Sequence, residues 1–259
     1  MILPRRGRQL DAVCPINWSF APLARLTAWY HADTPGWTCR TLHNLARNGR
    51  PGDIAAAATN LAWAERDGRQ VLRSSLTAGT GQVAVTAYPS TSVLTIETVF
   101  RPLSITEGYG AVFTQGTSSG LYWRSLSTVQ LYPAVADTTT TTQGTWNPVF
   151  ISHDGPHARY CINGLFSSTN TNASGISWLI DGLCNNSGSE TFDGDLLYVR
   201  YWAGVALPDE VGATLYRDYC EDFRYSLRRA GEFPLSFEEP AAGGGGATVG
   251  KLMLLGVGG

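Results

Sequence analysis

The chain is short of charge of either sign. Of its 259 residues 15% are Asp, Glu, Lys or Arg, and 19 basic against 21 acidic groups leave a net charge of -2 at pH 7. Without a basic excess there is no field to hold a nucleic acid backbone. No apolar run is long enough to span a bilayer as a helix, so neither nucleic acid nor membrane is expected as a partner. Cysteine is sparse and scattered. Cys14, Cys39, Cys161, Cys184 and Cys220 contain no CxxC pair, and that spacing excludes a zinc knuckle. They read as reduced, mostly buried thiols, and nothing in the sequence supports a Cys161–Cys184 bridge. The opening "MILPRRGRQLDAVCP" has Arg5, Arg6 and Arg8 but no apolar stretch after them, so no secretory signal is expected there. The sequon at Asn172 accordingly carries little weight.

What is abundant is apolar, aromatic and turn-forming. Hydrophobic residues make up 43%, with 8 Trp, 11 Tyr, 9 Phe and 29 Gly, which suits a β-rich chain with a sizeable core and many turns. "LARLTAWYHAD" reads as an apolar strand. "AWAERDGRQVLRS" reads as a hairpin turning at Asp67–Gly68. From Val93 the alternation is plain: Leu94, Ile96, Thr98 and Phe100 on one side, Val93, Thr95, Glu97 and Val99 on the other, the pattern of a half-buried strand. Glu97, alone among apolar residues, is expected at an edge or facing solvent. "YGAVFTQG", "GLYWRSL" and "VQLYPAV" follow as strands, and the Thr run 138–142 as a loop or edge strand. "NPVFISHDGPHARYCINGLF" then gives strand, turn, strand and a second turn at Asn163–Gly164. Many short strands with regular turn signals predict a β-sandwich rather than βαβ units.

"DLLYVRYW" is apolar on both faces, as in a strand covered on both sides. At Leu207 the period changes: Leu207, Val211 and Leu215 lie four apart and form one helical stripe. Pro208 suits the first helical position, and Asp209 and Glu210 suit the positive end of the helix dipole. A helix to about Tyr219 is expected. Residues 1–22 read as an irregular basic arm, 23–225 as the domain, and 226–259 as a Gly-rich tail ending in an apolar peptide.

Three stretches carry a resemblance. "GTWNPVFISHDGPHARYCING" resembles the hairpin of LamG-like, concanavalin A-like domains. "FDGDLLYVRYWAGVALPDEVGATLY" resembles their closing strand and short helix. "NLARNGRPGDI" is similar to an early loop of the family, with Ala46 and Arg47 where small residues are usual. The likeness covers roughly 23–222 and implies an all-β fold: an antiparallel two-sheet jelly-roll sandwich with one short C-terminal helix between extended terminal arms. The ends carry a second likeness. "MILPRRG", Trp18 with residues 21–25, and the Gly-rich apolar terminus resemble LamG-like proteins of tailed-phage structural gene clusters.

The fold so implied also carries laminarinase-type hydrolases, which need two carboxylates about 5–5.5 Å apart on one strand face. The E-x-D here, Glu65–Arg66–Asp67, has no second Glu and falls at the hairpin turn. "GTSSG" at 116–120 lacks the helix that a nucleophile elbow requires. "GGATVGKL" at 245–252 has Leu252 where a P-loop needs Ser or Thr. His153 and His157 flank a turn, and two ligands do not make a metal site. Asp193 and Asp195 could serve calcium or simply mark a turn. No metal or cofactor is therefore expected.

The resulting expectation is a non-enzymatic structural protein of a tailed-phage virion: a capsid decoration, head fibre or tail accessory, assembled in the host cytoplasm. It would form a homo-oligomer and dock on capsid or tail proteins through Arg5 and Arg6 at one end and Leu252, Met253, Leu254 and Leu255 at the other. The alternative is a carbohydrate-binding module, with Tyr109, Tyr122, Trp123 and Tyr132 as candidate glycan contacts; core packing is the competing use of those rings.

Overall fold

The computed structural model describes residues 16–32, 41–42, 46, 54–55, 61–75, 83–84, 90–104, 109–115, 119–124, 127–132, 136–167, 170–171, 177–178, 182–184, 192–223 and 226. In chain order the strands are β1 (Ala28–His31), β2 (Thr41–Leu42), β3 (Ile54–Ala55), β4 (Leu61–Arg66), β5 (Arg69–Ser74), β6 (Val83–Ala84), β7 (Leu94–Ser104), β8 (Tyr109–Gln115) and β9 (Ser119–Arg124). Then come β10 (Thr128–Tyr132), β11 (Ala136–Thr140), β12 (Asn147–His153), β13 (His157–Ile162), β14 (Leu165–Phe166), β15 (Asn170–Thr171), β16 (Gly182–Leu183) and β17 (Asp193–Ala203). One helix, α1 (Asp209–Cys220), follows.

Fifteen of these strands form an antiparallel sandwich of two sheets, and β2 and β3 pair with each other in a separate two-stranded ladder. The larger runs β14-β13-β12-β7-β17-β5-β4, with β1 added to β17 and β15 to β13. The smaller runs β11-β10-β9-β8-β16-β6. The all-β, two-sheet, one-helix expectation thus holds, and the Thr run supplies an edge strand. Two hairpin turns sit at the predicted residues. Asp67 and Gly68 have φ of 52° and 73°, and Asn163 and Gly164 have 54° and 81°, the paired left-handed conformations that match strand twist.

Alternation divides the larger sheet into two buried faces. Leu94, Ile96, Phe100, Val149, Ile151, Tyr160 and Tyr201 point at the smaller sheet and pack with Phe113, Leu121, Trp123, Val129 and Leu131. Val99, Phe150, Cys161, Leu197, Tyr198 and Trp202 point the other way. They are covered by Phe20 and Leu23, by Leu215 of α1 and by Phe223. The described part of the N-terminal segment therefore lies on the domain, with a 3₁₀ turn at Ala21–Leu23 and the Pro22 carbonyl accepting the Trp202 indole at 3.0 Å.

Strand β17 is buried along nearly its whole length, as its two-faced apolar pattern predicts. Against β7 its register shifts between Leu196 and Tyr198. Leu197 is the extra residue of a bulge, and the Thr98 hydroxyl donates to the Tyr198 carbonyl beside it at 2.8 Å. Past the bulge, Tyr198, Arg200 and Trp202 share the outer face with Asp195 and Leu197.

Helix α1 starts one residue later than expected, with Pro208 as its N-cap rather than its first residue. Leu215 is fully buried and Leu207 and Val211 partly so. Gly212 lets the helix close on β12, since a Cβ there would sit 2.8 Å from the Phe150 ring. Asp222 and Phe223 both adopt left-handed φ, which stops the helix and turns Phe223 back into the core. Cys161, Cys184 and Cys220 are free thiols, and burial pushes Cys184 up to about 12.

Candidate functional site

The candidate aromatics divide by strand alternation. On β9, Leu121 and Trp123 face the core. On β10, Val129 and Leu131 do the same. The outer face of the smaller sheet therefore carries Tyr122 and Arg124 from β9 and Thr128, Gln130 and Tyr132 from β10, with Tyr122 opposite Gln130 and Arg124 opposite Thr128. Tyr109 stands opposite Arg124 in register. Trp123 is thus corrected from candidate contact to core residue: it is wholly buried and its indole donates to the Thr141 hydroxyl at 2.9 Å. Tyr122 is also buried. It faces outward but lies under Tyr132, its ring edge-on at 6.0 Å. Tyr132 alone of these described side chains is exposed, at 42%. Beside it Arg124 donates to the Gln130 amide oxygen at 3.0 Å. An exposed tyrosine held by a second ring, next to a guanidinium–amide pair, can stack on an apolar sugar face and donate to hydroxyls.

Glu97 is also corrected. It lies beneath α1, buried on the outer face of the larger sheet. The Tyr198 hydroxyl donates to its Oε1 at 2.6 Å, and Arg200, its register partner, reaches its Oε2 at 3.1 Å. Arg200 also pairs with Asp218 of α1 at 3.3 Å and donates to the Ser226 hydroxyl at 2.9 Å. Its guanidinium lies 4.2 Å from the Trp29 ring centre. Burial pushes the Glu97 carboxyl up and Arg200 pulls it back; burial also holds Tyr198 well above the usual tyrosine range. The side chains of Arg200, Glu97 and Asp218 are buried. The cluster ties the helix and the exit of the chain to the sheet. Two features of the sequence could have found it: Glu97 as the one acid of its strand, and Asp218 three residues after Leu215 on the helical stripe.

Asp193 and Asp195 are held by arginines. Asp193 accepts from Arg73 at 2.9 Å and from the Ser104 hydroxyl at 2.8 Å. Asp195 accepts from Arg101 Nε at 3.0 Å, with Arg66 at 3.4 Å and Arg73 at 3.6 Å. Cationic neighbours of this kind disfavour calcium, and among the described residues no three His, Cys, Asp or Glu are grouped for a metal. His153 is buried, with Nδ1 2.8 Å from the Ser92 carbonyl, and burial lowers its pKa; exposed His157 faces Asp154 instead. Strands β8 and β9 flank the "GTSSG" loop on both sides, so it is no nucleophile elbow. Arg5, Arg6, Leu252, Met253, Leu254 and Leu255, like the P-loop-like stretch, lie outside the described residues.

No family model matches the chain, and no curated protein matches it. Solved structures do. Domain 4 of an extracellular GH43 arabinanase from Geobacillus stearothermophilus, in complex with arabinotriose, aligns with a TM-score of 0.55 at 16% identity, over 74% of this chain and 98% of that one. Trypanosoma rangeli sialidase in complex with sialic acid aligns at 0.54 and 12%, over 82% of this chain but 36% of that one. The receptor-binding domain of botulinum neurotoxin type G aligns at 0.55 and 10%, over 75% and 51%. The chain shares the β-sandwich fold of these structures. The expectation that it is no enzyme is corrected by the same likenesses: this sandwich occurs in chains of an arabinanase and a sialidase, so the missing laminarinase motif excluded one chemistry and not enzymes as a class. At these identities the likeness conveys the fold and assigns no catalytic residue. Nothing in it bears on a virion role.

Proposed function

We propose that the chain is a glycan-recognising β-sandwich module whose contact surface is the outer face of the smaller sheet. The observation that carries this is Tyr132, exposed and braced on Tyr122 beside the Arg124–Gln130 pair. Support also comes from the arabinotriose and sialic acid complexes among the structural neighbours and from the LamG-like pattern of 144–164 and 192–216. Titration of the full chain with arabinotriose and with sialyllactose, read by amide NMR, tests it. Saturable shifts at Tyr132, Arg124 and Gln130, abolished by Tyr132→Ala, are expected. A glycan panel that leaves all three unmoved overturns the reading.

A second reading, attachment to a larger assembly such as a virion through both ends, is favoured by one hydrogen bond. The Asn17 amide donates to the Ser226 carbonyl at 2.8 Å. Asn17 and Ser226 therefore lie side by side on the face opposite Tyr132. Attachment behind and recognition in front are compatible, and deleting 241–259 tests the first: loss of co-purification with purified particles, with the fold retained, is expected. Unchanged incorporation rejects it.

A further inference from the structure

We propose that a second site, on the outer face of the larger sheet, binds the carboxylate of an acidic sugar. Leu72, Leu196 and Phe100 face the inner core, so alternation turns Arg73, Asp195 and Arg101 outward, side by side in register on β5, β17 and β7. Arg66 reaches the same carboxylate from the end of β4. Among the described residues three guanidiniums here meet two carboxylates, Asp193 and Asp195. The turn residue Asp67 is engaged by a neutral donor, the Trp146 indole at 2.8 Å.

The layering decides what the surface presents. Asp195 is fully buried, while the side chains of Arg66, Arg73 and Arg101 are 37%, 23% and 20% exposed. The Asp193 and Asp195 carboxylates lie below and the guanidiniums above, with the exposed Asp67 carboxylate at the rim beside Trp146, so an approaching solute meets outward guanidinium donors. Each guanidinium is a planar fork with five N–H donors that matches a carboxylate. The bonds to Asp193, Asp195 and the Glu65 carbonyl use only some of them. The arrangement is also unsaturated within: Asp195 Oδ1 and Arg73 Nη1 are buried without a hydrogen bond and stand 3.6 Å apart.

A wall completes the site. Trp146 is half-buried, with the Arg101 guanidinium 5.7 Å from its ring centre. The loop before it is locked: the Asn147 side chain bonds Thr142 N–H, Thr142 C=O and Thr145 C=O, the Gly144 amide donates to Pro102, and Gln143 to the Leu103 carbonyl. Donors fixed before binding lose little entropy on binding. A small oxyanion satisfies the forks; a pyranose behind it reaches the ring and the Ser104 hydroxyl. The anion preference rests on the outward guanidinium forks, and the sugar rests on the glycan reading above.

The test is NMR titration of the full chain with D-glucuronate, with D-glucose and sodium acetate as matched controls. Saturable shifts at Arg66, Arg73, Arg101, Ser104 and the Trp146 indole are expected with glucuronate. Glucose should leave them unmoved, and acetate should bind at least 5-fold more weakly. Arg66→Gln removes the most exposed fork while Asp195 keeps Arg101, and should weaken glucuronate by about 10-fold, or about 1.4 kcal/mol. Arg66→Lys keeps the charge but not the fork and should fall between. Tyr132→Ala, on the opposite face, should change nothing here, so failure of either site is read separately. No saturable glucuronate shift, equal binding of acetate, or an Arg66→Gln variant that binds as wild type overturns the proposal.

Discussion

Two clusters of charge lie on one face of one sheet, and both are built from β7 and β17, yet their stoichiometry is reversed. Around Arg200 one guanidinium meets two carboxylates, Glu97 and Asp218, and all three side chains are buried. Around Asp195 three guanidiniums meet two carboxylates, and the cations reach solvent. The difference is what covers them. Helix α1, Trp29 and Phe223 seal the first; Trp146 and its loop only border the second. A sealed cluster must neutralise itself: burial raises the Glu97 pKa, Arg200 pulls it back, and the second carboxylate, Asp218, adds a smaller push upward. An open cluster can leave its surplus to a ligand.

The largest test of this contrast is Arg200→Met. It strands Glu97 and Asp218 without a counter-ion, and a loss of about 3–5 kcal/mol in urea unfolding is expected. Arg101→Met at the open cluster should cost less, about 1–2 kcal/mol, because Asp195 retains Arg66 and Arg73. Equal losses at the two positions would erase the distinction between sealed and open. Glu97→Gln should cost less than Arg200→Met, about 1 kcal/mol, because the amide keeps the size of the side chain and an oxygen that accepts from Tyr198 or Arg200. Its effect on pH dependence is more telling. Folding raises the Glu97 pKa, so the native state holds this proton more tightly than the unfolded chain. The wild type therefore has this stability in full below the ordinary glutamate value of about 4.3 and loses it as pH rises towards the raised one. The variant should lack that decline, so unfolding midpoints measured from pH 4 to 8 should drift in its favour; a constant difference would contradict the raised pKa. Smallest of all, Arg66→Gln should alter stability by no more than about 0.5 kcal/mol, leaving its effect on glucuronate as the readout.

Much of the fold was legible because its signals are local. Asp67–Gly68 and Asn163–Gly164 name their own turns. The strand following Val93 shows its inner face through Leu94, Ile96 and Phe100. The change of period at Leu207 announces α1, and only its first residue was misplaced, since Pro208 serves equally at the cap. The sites were less legible for one reason: a charged or aromatic residue on a strand does not state what lies above it. Glu97 reads as an exposed acid until α1 and Arg200 are set over it. Trp123 reads as a surface ring until the alternation of "GLYWRSL", apolar on both faces, is resolved by pairing with β8 and β10. Tyr132 kept its exposure because β10 ends there.

The sequence by itself determined an all-β chain with one closing helix, because alternation, paired turn residues and helical period act over a few residues and need no partner. Only the tertiary structure decided which charges meet. Glu97 and Arg200 are 103 residues apart, and they share a face because the extra residue Leu197 shifts the register of β17 after Leu196. Without that bulge the period of two would carry Arg200 to the face opposite Asp195. A one-residue shift in strand pairing reverses every side chain beyond it, and such a shift is set by the packing of two sheets and a helix.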